Sequence, residues 1–231
     1  MSPGEANRNG ASERPTAQIF LRPLGSPLTL GMSGLAIASL VQSGVELHWT
    51  PSDQTFQAGL ILIAVPFVMQ LLACIFSYHA RDGATGAAVG VLATTWLAIG
   101  LIHIAAKPGA TSGTLGLLLV SAGGVLGVSA SAIASTKALP GAIFGAAAVR
   151  FATAGIYQLS TVAFWGHAAG LLGLLVTALA LYATLAFELE GQCERAALPT
   201  FRRGRAAAAI RDGASSERDR LVVEPGVRET T

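Results

Sequence analysis

Long apolar runs alternate with short polar segments along most of this chain. The runs cover residues 28–45, 56–78, 84–106, 113–135, 141–159 and 162–187. The segments between them read "ELHWTPSDQ", "HARDG", "KPGATSG", "STKALP" and "LST". A bilayer core about 30 Å thick needs roughly 20 mainly apolar residues per helix. The pattern therefore predicts six transmembrane helices, of which the fifth and sixth meet in a very tight turn.

The composition agrees with a helical membrane protein. Only 12% of the residues are charged, against about 25% in an ordinary soluble domain. The strands of a transmembrane barrel would be about ten residues long and would alternate in polarity, unlike these runs. We predict an all-α protein with a six-helix transmembrane domain at 23–199. The polar tails at 1–22 and 200–231 contain too little apolar surface to fold alone and are expected to be disordered.

The distribution of charge predicts the orientation in the membrane, because positive residues are retained on the cytoplasmic side. With an even number of helices, both Arg-bearing termini lie on the same side as Arg81 and Lys137 in the second and fourth connections. The first connection lies on the other side, with Glu46 and Asp53, and only Lys107 in the third dissents. We predict a multi-pass protein of the plasma membrane with both termini in the cytoplasm.

Several function classes find no support in the sequence. The arginines cluster in the tails, without the interleaved aromatic residues of a nucleic-acid-binding surface. There is no Walker motif, nucleophile elbow or HExxH segment, and the four histidines form no metal-type cluster. Cys74 and Cys193 are expected to be free thiols. We therefore expect neither an enzyme nor a nucleic-acid-binding protein, and no catalytic residue, metal site or cofactor.

The end of the last apolar run carries a specific motif. In "ALYATLAFELEGQCERAALP", Tyr182 is followed by Leu-x-x-Gln-x-x-Arg-x-x-Leu-Pro, which ends at Pro199. Upstream, Gln70 and Tyr78 bracket "QLLACIFSY", and Trp96 lies in the third run. In this order the residues resemble the acetate uptake transporter family, also called the GPR1/FUN34/YaaH family. The resemblance extends over nearly all of the membrane region.

This resemblance implies a fold, a solute class and an assembly. Members of the family are six-helix membrane proteins that move acetate, succinate and similar small carboxylates, and the implied assembly is a homo-oligomer, a hexamer with one route per subunit. The family's Asn-Pro-Ala-Pro-Leu-Gly-Leu signature in the first helix is changed here to "LGSPLTL", which keeps Pro27, Leu28 and Leu30. In the family this segment helps to line the substrate route. By resemblance, the pathway therefore includes Ser26, Pro27, Leu28, Thr29 and Leu30.

Arg150 stands near the middle of the fifth predicted helix, where a cationic side chain costs roughly 2.5–3.5 kcal/mol. Two interpretations are open. Either Arg150 snorkels or pairs with carbonyls and hydroxyls of neighbouring helices, or it faces an aqueous route and binds an anion through paired hydrogen bonds. The apolar runs contain no acidic residue to neutralise it, apart from Glu188 at the end of the last. We therefore expect an anion or water as its companion.

Two glutamines are further candidates for the pathway. Gln70 in the second run and Gln158 in the fifth are uncharged polar groups, like Ser26 and Thr29 at the entrance of the first helix. Such groups can hydrogen-bond a carboxylate without trapping it, but they can equally form hydrogen bonds between helices. Both interpretations stay open from the sequence.

Pairs of glycines four residues apart recur within the runs, at 86–90, 123–127, 141–145 and 166–170. Small residues at this spacing let helix backbones approach closely where no hydrophobic effect drives helices together. These faces serve either packing within one subunit or contact between subunits of an oligomer.

Three functions compete. The leading hypothesis is a transporter or channel for small monocarboxylates such as acetate, with or without a coupled proton. A second is the passage of another small solute, since the signature segment has changed. A third is a sensor or assembly protein that uses the same fold without transport. They differ in whether Gln70, Arg150 and Gln158 converge on a continuous cavity.

Overall fold

The computed structural model describes residues 26–193 and 198–201, without the side chains of 191–193. The long helices of this part of the chain are α1 (Pro27–Glu46), α2 (Ser52–His79), α3 (Gly83–Ala105), α4 (Gly113–Ala134), α5 (Ala138–Ser160) and α6 (Ala163–Cys193). Each is long and apolar enough to cross a membrane, and the described residues contain no strand. The predicted all-α, six-helix membrane architecture is therefore confirmed. Apart from Thr200 and Phe201, the predicted tails lie outside the described residues.

The connection between α5 and α6 is as short as the sequence predicts. α5 ends at Ser160 and α6 begins at Ala163, so Thr161 and Val162 form the whole connection. Thr161 has a left-handed backbone (φ 60°), and its N–H donates to the carbonyl oxygen of Tyr157 at 2.8 Å. This arrangement satisfies one of the last carbonyls of α5 while the chain turns back.

The six helices form a closed ring in chain order. Each helix packs on its neighbours along the chain, and α6 packs back on α1. Because the connections are short, successive helices run antiparallel. The end that holds the start of α1 and the connections 80–82 and 135–137 is called the terminal end here. The opposite end, which holds the connections 47–51 and 106–112, is called the cavity end.

α2 is continuous but changes its winding around Pro66. A π-helical turn at Ile63–Phe67 separates two α-helical parts of the span. Proline lacks an N–H and crowds the preceding helical turn, and a π-type bulge accommodates it without ending the helix. Just beyond this turn, the buried Gln70 side chain donates from Nε2 to the carbonyl oxygen of Gly31 on α1 at 3.3 Å. Gln70 thus helps to hold α1 against the second half of α2.

Glycines form the closest helix crossings. A Cβ on Gly59 of α2 would lie 2.7 Å from the carbonyl oxygen of Gly100 on α3, and the reverse distance is 2.8 Å. Gly116 of α4 and Gly155 of α5 meet in the same way. The glycine pairs noted in the sequence also face neighbours within this bundle, as their contacts show for Gly86, Gly90, Gly123, Gly141, Gly166 and Gly170. These contacts favour packing within one subunit over contact between subunits.

We expect Gly155→Ala to destabilise the protein by about 1–3 kcal/mol, the usual cost of overpacking a closed contact. The new Cβ would lie 2.8 Å from the carbonyl oxygen of Gly116 and 2.9 Å from the nitrogen of Val120, and backbone atoms cannot rotate away. Gly124→Ala on α4 is the matched control, because nothing lies within 4 Å of its Cβ position. Alanine there should be neutral or should stabilise by up to about 1 kcal/mol. Unfolding in mixed detergent micelles compares the two, and equal effects would contradict this crossing.

Large apolar side chains face both the inside and the outside of the ring. Trp96, Phe144 and Phe151 are fully buried among the helices, whereas Leu117 and Leu171 are more than half exposed on the outer surface. An apolar outer surface of this extent is unusual for a soluble monomer. In a bilayer the lipid chains cover it, which agrees with six membrane-spanning helices.

At the terminal end an ion pair links two connections. The ammonium group of Lys137, which precedes α5, contacts a carboxylate oxygen of Asp82, which caps α3 by accepting from the N–H of Thr85 at 3.3 Å. Burial works to raise the pKa of the Asp82 carboxyl, but Lys137 and the hydrogen bonds from Thr85 outweigh it and hold that pKa below its ordinary value of 3.8. The pair therefore stabilises the charged form of Asp82.

Asp82→Asn should lower the stability by about 0.2–1 kcal/mol at neutral pH, the range of ion pairs that keep some exposure. Because the pKa of Asp82 is lowered in the folded state, its contribution is complete above the ordinary value of 3.8 and is lost as the pH falls through the lower folded value. The stabilities of wild type and variant should therefore converge in acid. A difference that stays constant down to the acid limit of folding would contradict the assignment.

Candidate central cavity and its buried ion pair

A cavity of about 240 Å³ opens inside the ring at the cavity end. All six helices contribute to its wall, and its lining mixes apolar side chains such as Ile99, Leu115 and Phe151 with polar ones. Its volume exceeds by several-fold the roughly 30 Å³ that a water molecule occupies in the liquid. The cavity therefore has room for a small solute together with water.

Four polar side chains form a hydrogen-bonded chain across this cavity. On α1, the amide nitrogen of Gln42 donates to Glu46 Oε1 at 3.2 Å. Nε2 of His103 on α3 lies 2.9 Å from Gln42 Oε1, and since that oxygen can only accept, the imidazole N–H donates. Nη2 of Arg150 on α5 donates to Glu46 Oε2 at 3.3 Å and to Glu46 Oε1 at 3.4 Å. This row of hydrogen bonds connects α3, α1 and α5 at one level of the bundle.

Aromatic rings enclose the Arg150 guanidinium. Its central carbon lies 5.3 Å from the ring centroid of Trp96 and 5.5 Å from that of Phe151. Cations at such distances from a ring face are attracted by the ring quadrupole. The Arg150 side chain is 1% exposed and that of Glu46 is 8% exposed. The ion pair is thus held in a desolvated place, although Arg150 still lines the cavity.

A glycine on α6 makes room for the arginine. A Cβ on Gly173 would lie 2.6 Å from Nε of Arg150 and 2.1 Å from Oγ of Ser43 on α1. Any larger residue would need both side chains to move. Gly173 therefore gives the guanidinium its place between α1, α5 and α6.

Several buried donors at this level have no hydrogen-bond partner among the described residues. They are Nε and Nη1 of Arg150, Oγ of Ser43 and of Ser39, and Nε1 of Trp96. Buried polar groups in folded proteins are nearly always paired, so an exception calls for a partner or a function. The unpaired N–H groups of Arg150 are the ones that belong to a cavity-lining residue.

The expectation that no acidic side chain neutralises Arg150 is wrong. Glu46 was placed in the first connection, but α1 continues through it, and its carboxylate turns inward to Arg150. The reason is physical, because an unpaired buried cation is far more costly than a buried ion pair. Neither snorkelling nor pairing with carbonyls and hydroxyls describes Arg150, which lines the cavity and carries a counter-ion.

The predicted pathway residues lie in three places. Arg150 and Gln158 both line the cavity, where Gln158 Oε1 accepts from the N–H of Ser112 at 2.8 Å and so holds the α3–α4 connection. Gln70 lies outside this cavity, between α1 and α2. The segment at the start of α1 lies at the terminal end, with Pro27 in the first helical turn and Leu28 buried; its members are Ser26, Pro27, Leu28, Thr29 and Leu30. The structure thus brings two of the eight together.

Sequence reasoning missed Gln42, Glu46 and His103 as parts of the site. Gln42 and Glu46 are four residues apart, a spacing that places both on one helix face, and this was the available signal. The four histidines form no cluster in the sequence, and no pattern distinguishes His103 from the others. At the mouth of the cavity, the rings of His48 and His167 lie 5.8 Å apart. No sequence pattern pointed to that pair.

Between the cavity and the terminal end, the ring is filled by side chains. Met32, Leu35, Leu92, Ile143 and Phe144 are at most 1% exposed. Together with Trp96 and Phe151 they form an apolar barrier between the ion pair and the terminal end. The structure therefore describes a cavity that is open at one end and closed towards the other.

The helices and the cavity define a multi-pass, all-α membrane protein. Among solved structures, the chain is similar to the structure of the bacterial acetate channel SatP, with a TM-score of 0.69 and 22% sequence identity. The match covers 77% of this chain and 99% of that chain, so the whole channel fold is represented here. No protein-family model and no curated protein sequence matches this chain. At this level of identity, the likeness establishes the shared fold.

Proposed function

We propose that the protein is a passage for small monocarboxylates such as acetate across the plasma membrane. The observation that carries the proposal is a fold shared over 99% of a bacterial acetate channel, combined with a central cavity that ends at a buried guanidinium. A guanidinium matches the planar geometry of a carboxylate better than any other side chain. The motif from Tyr182 to Pro199 adds support, because it is the most specific part of the resemblance to the acetate uptake transporter family. Its two ends are in contact, with Tyr182 Oη donating to the carbonyl oxygen of Pro199 at 3.1 Å.

The cavity has the character expected of an anion route. Arg150 attracts an anion at a depth where the low dielectric strengthens the attraction, while Glu46 weakens that attraction enough to permit release. Conduction requires a site that both admits and frees its ion. The pathway then continues past the apolar barrier to Gln70 and to the segment 26–30 at the terminal end, which serve as its inner part.

In the proposed orientation the open end of the cavity faces the outside of the cell. Arg81 and Lys137 lie at the terminal end, whereas Glu46 and Asp53 lie at the cavity end together with the single dissenting residue Lys107. The end with more positive residues faces the cytoplasm. Both termini are then cytoplasmic. We further propose a homo-oligomer in contact with membrane lipids, a hexamer by family resemblance, with one route in each subunit.

Reconstitution tests this proposal. Purified protein in liposomes should take up labelled acetate faster than protein-free liposomes do, and excess unlabelled formate or lactate should reduce the uptake by competition. Dissipating the proton gradient separates the two forms of the proposal, because it abolishes accumulation by a coupled transporter and leaves a channel's downhill flux. Folded protein without flux of acetate, formate, lactate or succinate would contradict it.

The closed packing below the ion pair favours a second candidate, a sensor or assembly protein that binds a carboxylate without passing it on. Met32, Leu35 and Phe144 fill the space that a continuous route would need. Binding of acetate without flux in the same preparation would support this candidate. Flux of neutral solutes alone would instead support a passage for another small solute.

A further inference from the structure

The ion pair in the cavity uses only part of the arginine. Both oxygens of Glu46 contact the same nitrogen, Nη2 of Arg150, at 3.3 and 3.4 Å. Charge-assisted hydrogen bonds are ordinarily about 2.7–2.9 Å long, and arginine pairs with carboxylates through two parallel N–H groups on different nitrogens. Nε and Nη1 of Arg150 have no partner among the described residues. Each pair of parallel N–H groups on a guanidinium includes Nη2, together with either Nε or Nη1. Glu46 thus occupies the nitrogen that both pairs share, and a second carboxylate can form two parallel hydrogen bonds with Arg150 only when Glu46 releases Nη2.

We propose that Arg150 is the carboxylate-binding site of this protein and that Glu46 is an exchangeable counter-ion, which releases Arg150 to the solute. The solute's carboxylate enters from the cavity and forms two parallel hydrogen bonds with the guanidinium. Glu46 then takes up a proton and stays hydrogen-bonded to Gln42. The identity of the solute as a carboxylate rests on the proposed function.

The burial of the Arg150–Glu46 pair is the reason why Glu46 must take up a proton when the solute binds. Two carboxylates beside one guanidinium would leave a net negative charge in a desolvated place, which is strongly unfavourable. The exchange balances when one proton enters with each monocarboxylate: the arginine stays protonated, the solute stays ionised, and the Glu46 carboxylate becomes a carboxylic acid. The proton comes from the bulk solution by way of water in the cavity, so no hydroxide is left behind. Removal of the solute reverses each step.

The position of Glu46 suits it to this exchange. It is the last residue of α1, where the helix dipole carries partial negative charge and disfavours a carboxylate. The amide nitrogen of Gln42 lies 3.2 Å from Glu46 Oε1, and Gln42 is itself held by His103. A protonated Glu46 therefore keeps a polar neighbour after Arg150 turns to the solute.

Other ionisable groups also line the cavity, but none of them contacts the guanidinium as Glu46 does. α2 and α4 contribute only uncharged residues to the lining, and the remaining elements contribute Arg150, Tyr157, His103, His167, His48 and Lys107. His103 contacts Gln42 rather than the arginine, and the two other histidines and the lysine lie at the mouth. Glu46 is the group that directly contacts Arg150, so its neutralisation is the one that frees the guanidinium.

Proton uptake by the wild-type protein is the first test. Acetate at matched pH is added to the protein in weakly buffered nanodiscs that contain a pH-sensitive dye, near neutral pH. We expect uptake of about one proton per acetate bound, since the solute itself is already ionised. Acetamide, which is isosteric and neutral, should produce no uptake. Acetate binding without proton uptake would overturn the exchange.

Variants identify the groups. Glu46→Gln should bind acetate at least about tenfold more tightly near neutral pH, within the usual range by which one group changes another's affinity, and should take up no proton. Arg150→Gln should lose acetate binding. Asp53→Asn, an exposed acidic position at the same end and outside the cavity lining, should behave as wild type. If Glu46→Gln does not fold without acetate, proton uptake by the wild-type protein still tests whether the exchange takes place.

The outcomes separate this inference from the proposed function, because flux is measured on the same preparation. Flux with acetate binding that is unchanged by Arg150→Gln or Glu46→Gln would overturn the inference and leave the function. Binding with proton uptake but without flux would keep the site and overturn the passage. Absence of acetate binding to the wild type at concentrations that saturate flux would also overturn the site.

Discussion

Replacing either Arg150 or Glu46 alone by glutamine should destabilise the protein by about 3–5 kcal/mol, whereas replacing both should cost far less than the sum. The guanidinium is 1% exposed and the carboxylate 8% exposed, so each is the other's main charge compensation. A single replacement leaves one buried charge without an opposite partner among the residues that the structure describes. The double replacement leaves two neutral amides that can hydrogen-bond to each other and to Gln42.

The measurement is a double-mutant cycle for unfolding in mixed detergent micelles, at neutral pH and without carboxylate buffers. Asp53→Asn is the control for the loss of an acidic side chain at the same end, and it should change the stability by less than about 0.5 kcal/mol. A coupling energy of several kcal/mol is expected between the two positions. Additivity within about 0.5 kcal/mol, which is typical of independent sites, would show that the pair is not formed.

Gly173→Ala should also have a large effect, about 1–3 kcal/mol of stability as for other overpacked cores, together with weaker acetate binding. The added Cβ would lie 2.1 Å from Oγ of Ser43 and 2.6 Å from Nε of Arg150. The guanidinium is then pushed away from α6 and out of line with Glu46, although no charge has been removed.

A second replacement makes this prediction specific. Ser43→Ala removes the oxygen that would make the closer of the two contacts, and this oxygen has no hydrogen-bond partner among the described residues. Ser43→Ala alone should therefore be nearly neutral, and Ser43→Ala combined with Gly173→Ala should recover part of the lost stability. Acetate affinity measured beside unfolding shows whether Arg150 returns to its place. A combined variant no better than Gly173→Ala would contradict this geometry.

The architecture was predictable because its physical cause acts over long stretches of sequence. A bilayer requires about twenty apolar residues for each helix, and no substitution of a single residue hides such a run. The tight connection after Ser160 followed from the small gap between the last two runs. By contrast, the π-helical turn at Pro66 depends on how one proline is accommodated within a packed helix, and the length of the run carried no sign of it.

The site was predictable only in part. Arg150 stood out as a cation in an apolar run. Its counter-ion, however, is a single residue at the end of a helix. The predicted first span stopped at 45, whereas α1 ends at Glu46. That one residue turns Arg150 from an unneutralised cation into a paired one. Helix ends are the least certain part of a sequence pattern, and here the end carries the counter-ion.

The remaining polar groups show why spacing alone does not define a cavity. Gln70 and Gln158 looked alike in sequence, but Gln70 bonds to Gly31 away from the cavity and Gln158 lines it. The difference depends on which face of each helix meets the ring interior, and helices that are apolar on all sides give no periodic signal of that face. His103 joins the site only because α1 brings Gln42 to it.

Acetate flux in liposomes tests most directly whether the carboxylate passes Arg150. The comparison is between wild-type protein and the combined Glu46→Gln and Arg150→Gln variant. The combined variant keeps the fold because it removes the two buried charges together, so a change in flux reports on the route. We predict that its acetate flux falls at least about tenfold, the factor that 1.4 kcal/mol of lost stabilisation produces, while the assembled particle keeps its size. Acetate flux equal to that of an active wild type would contradict the claim that the carboxylate passes Arg150.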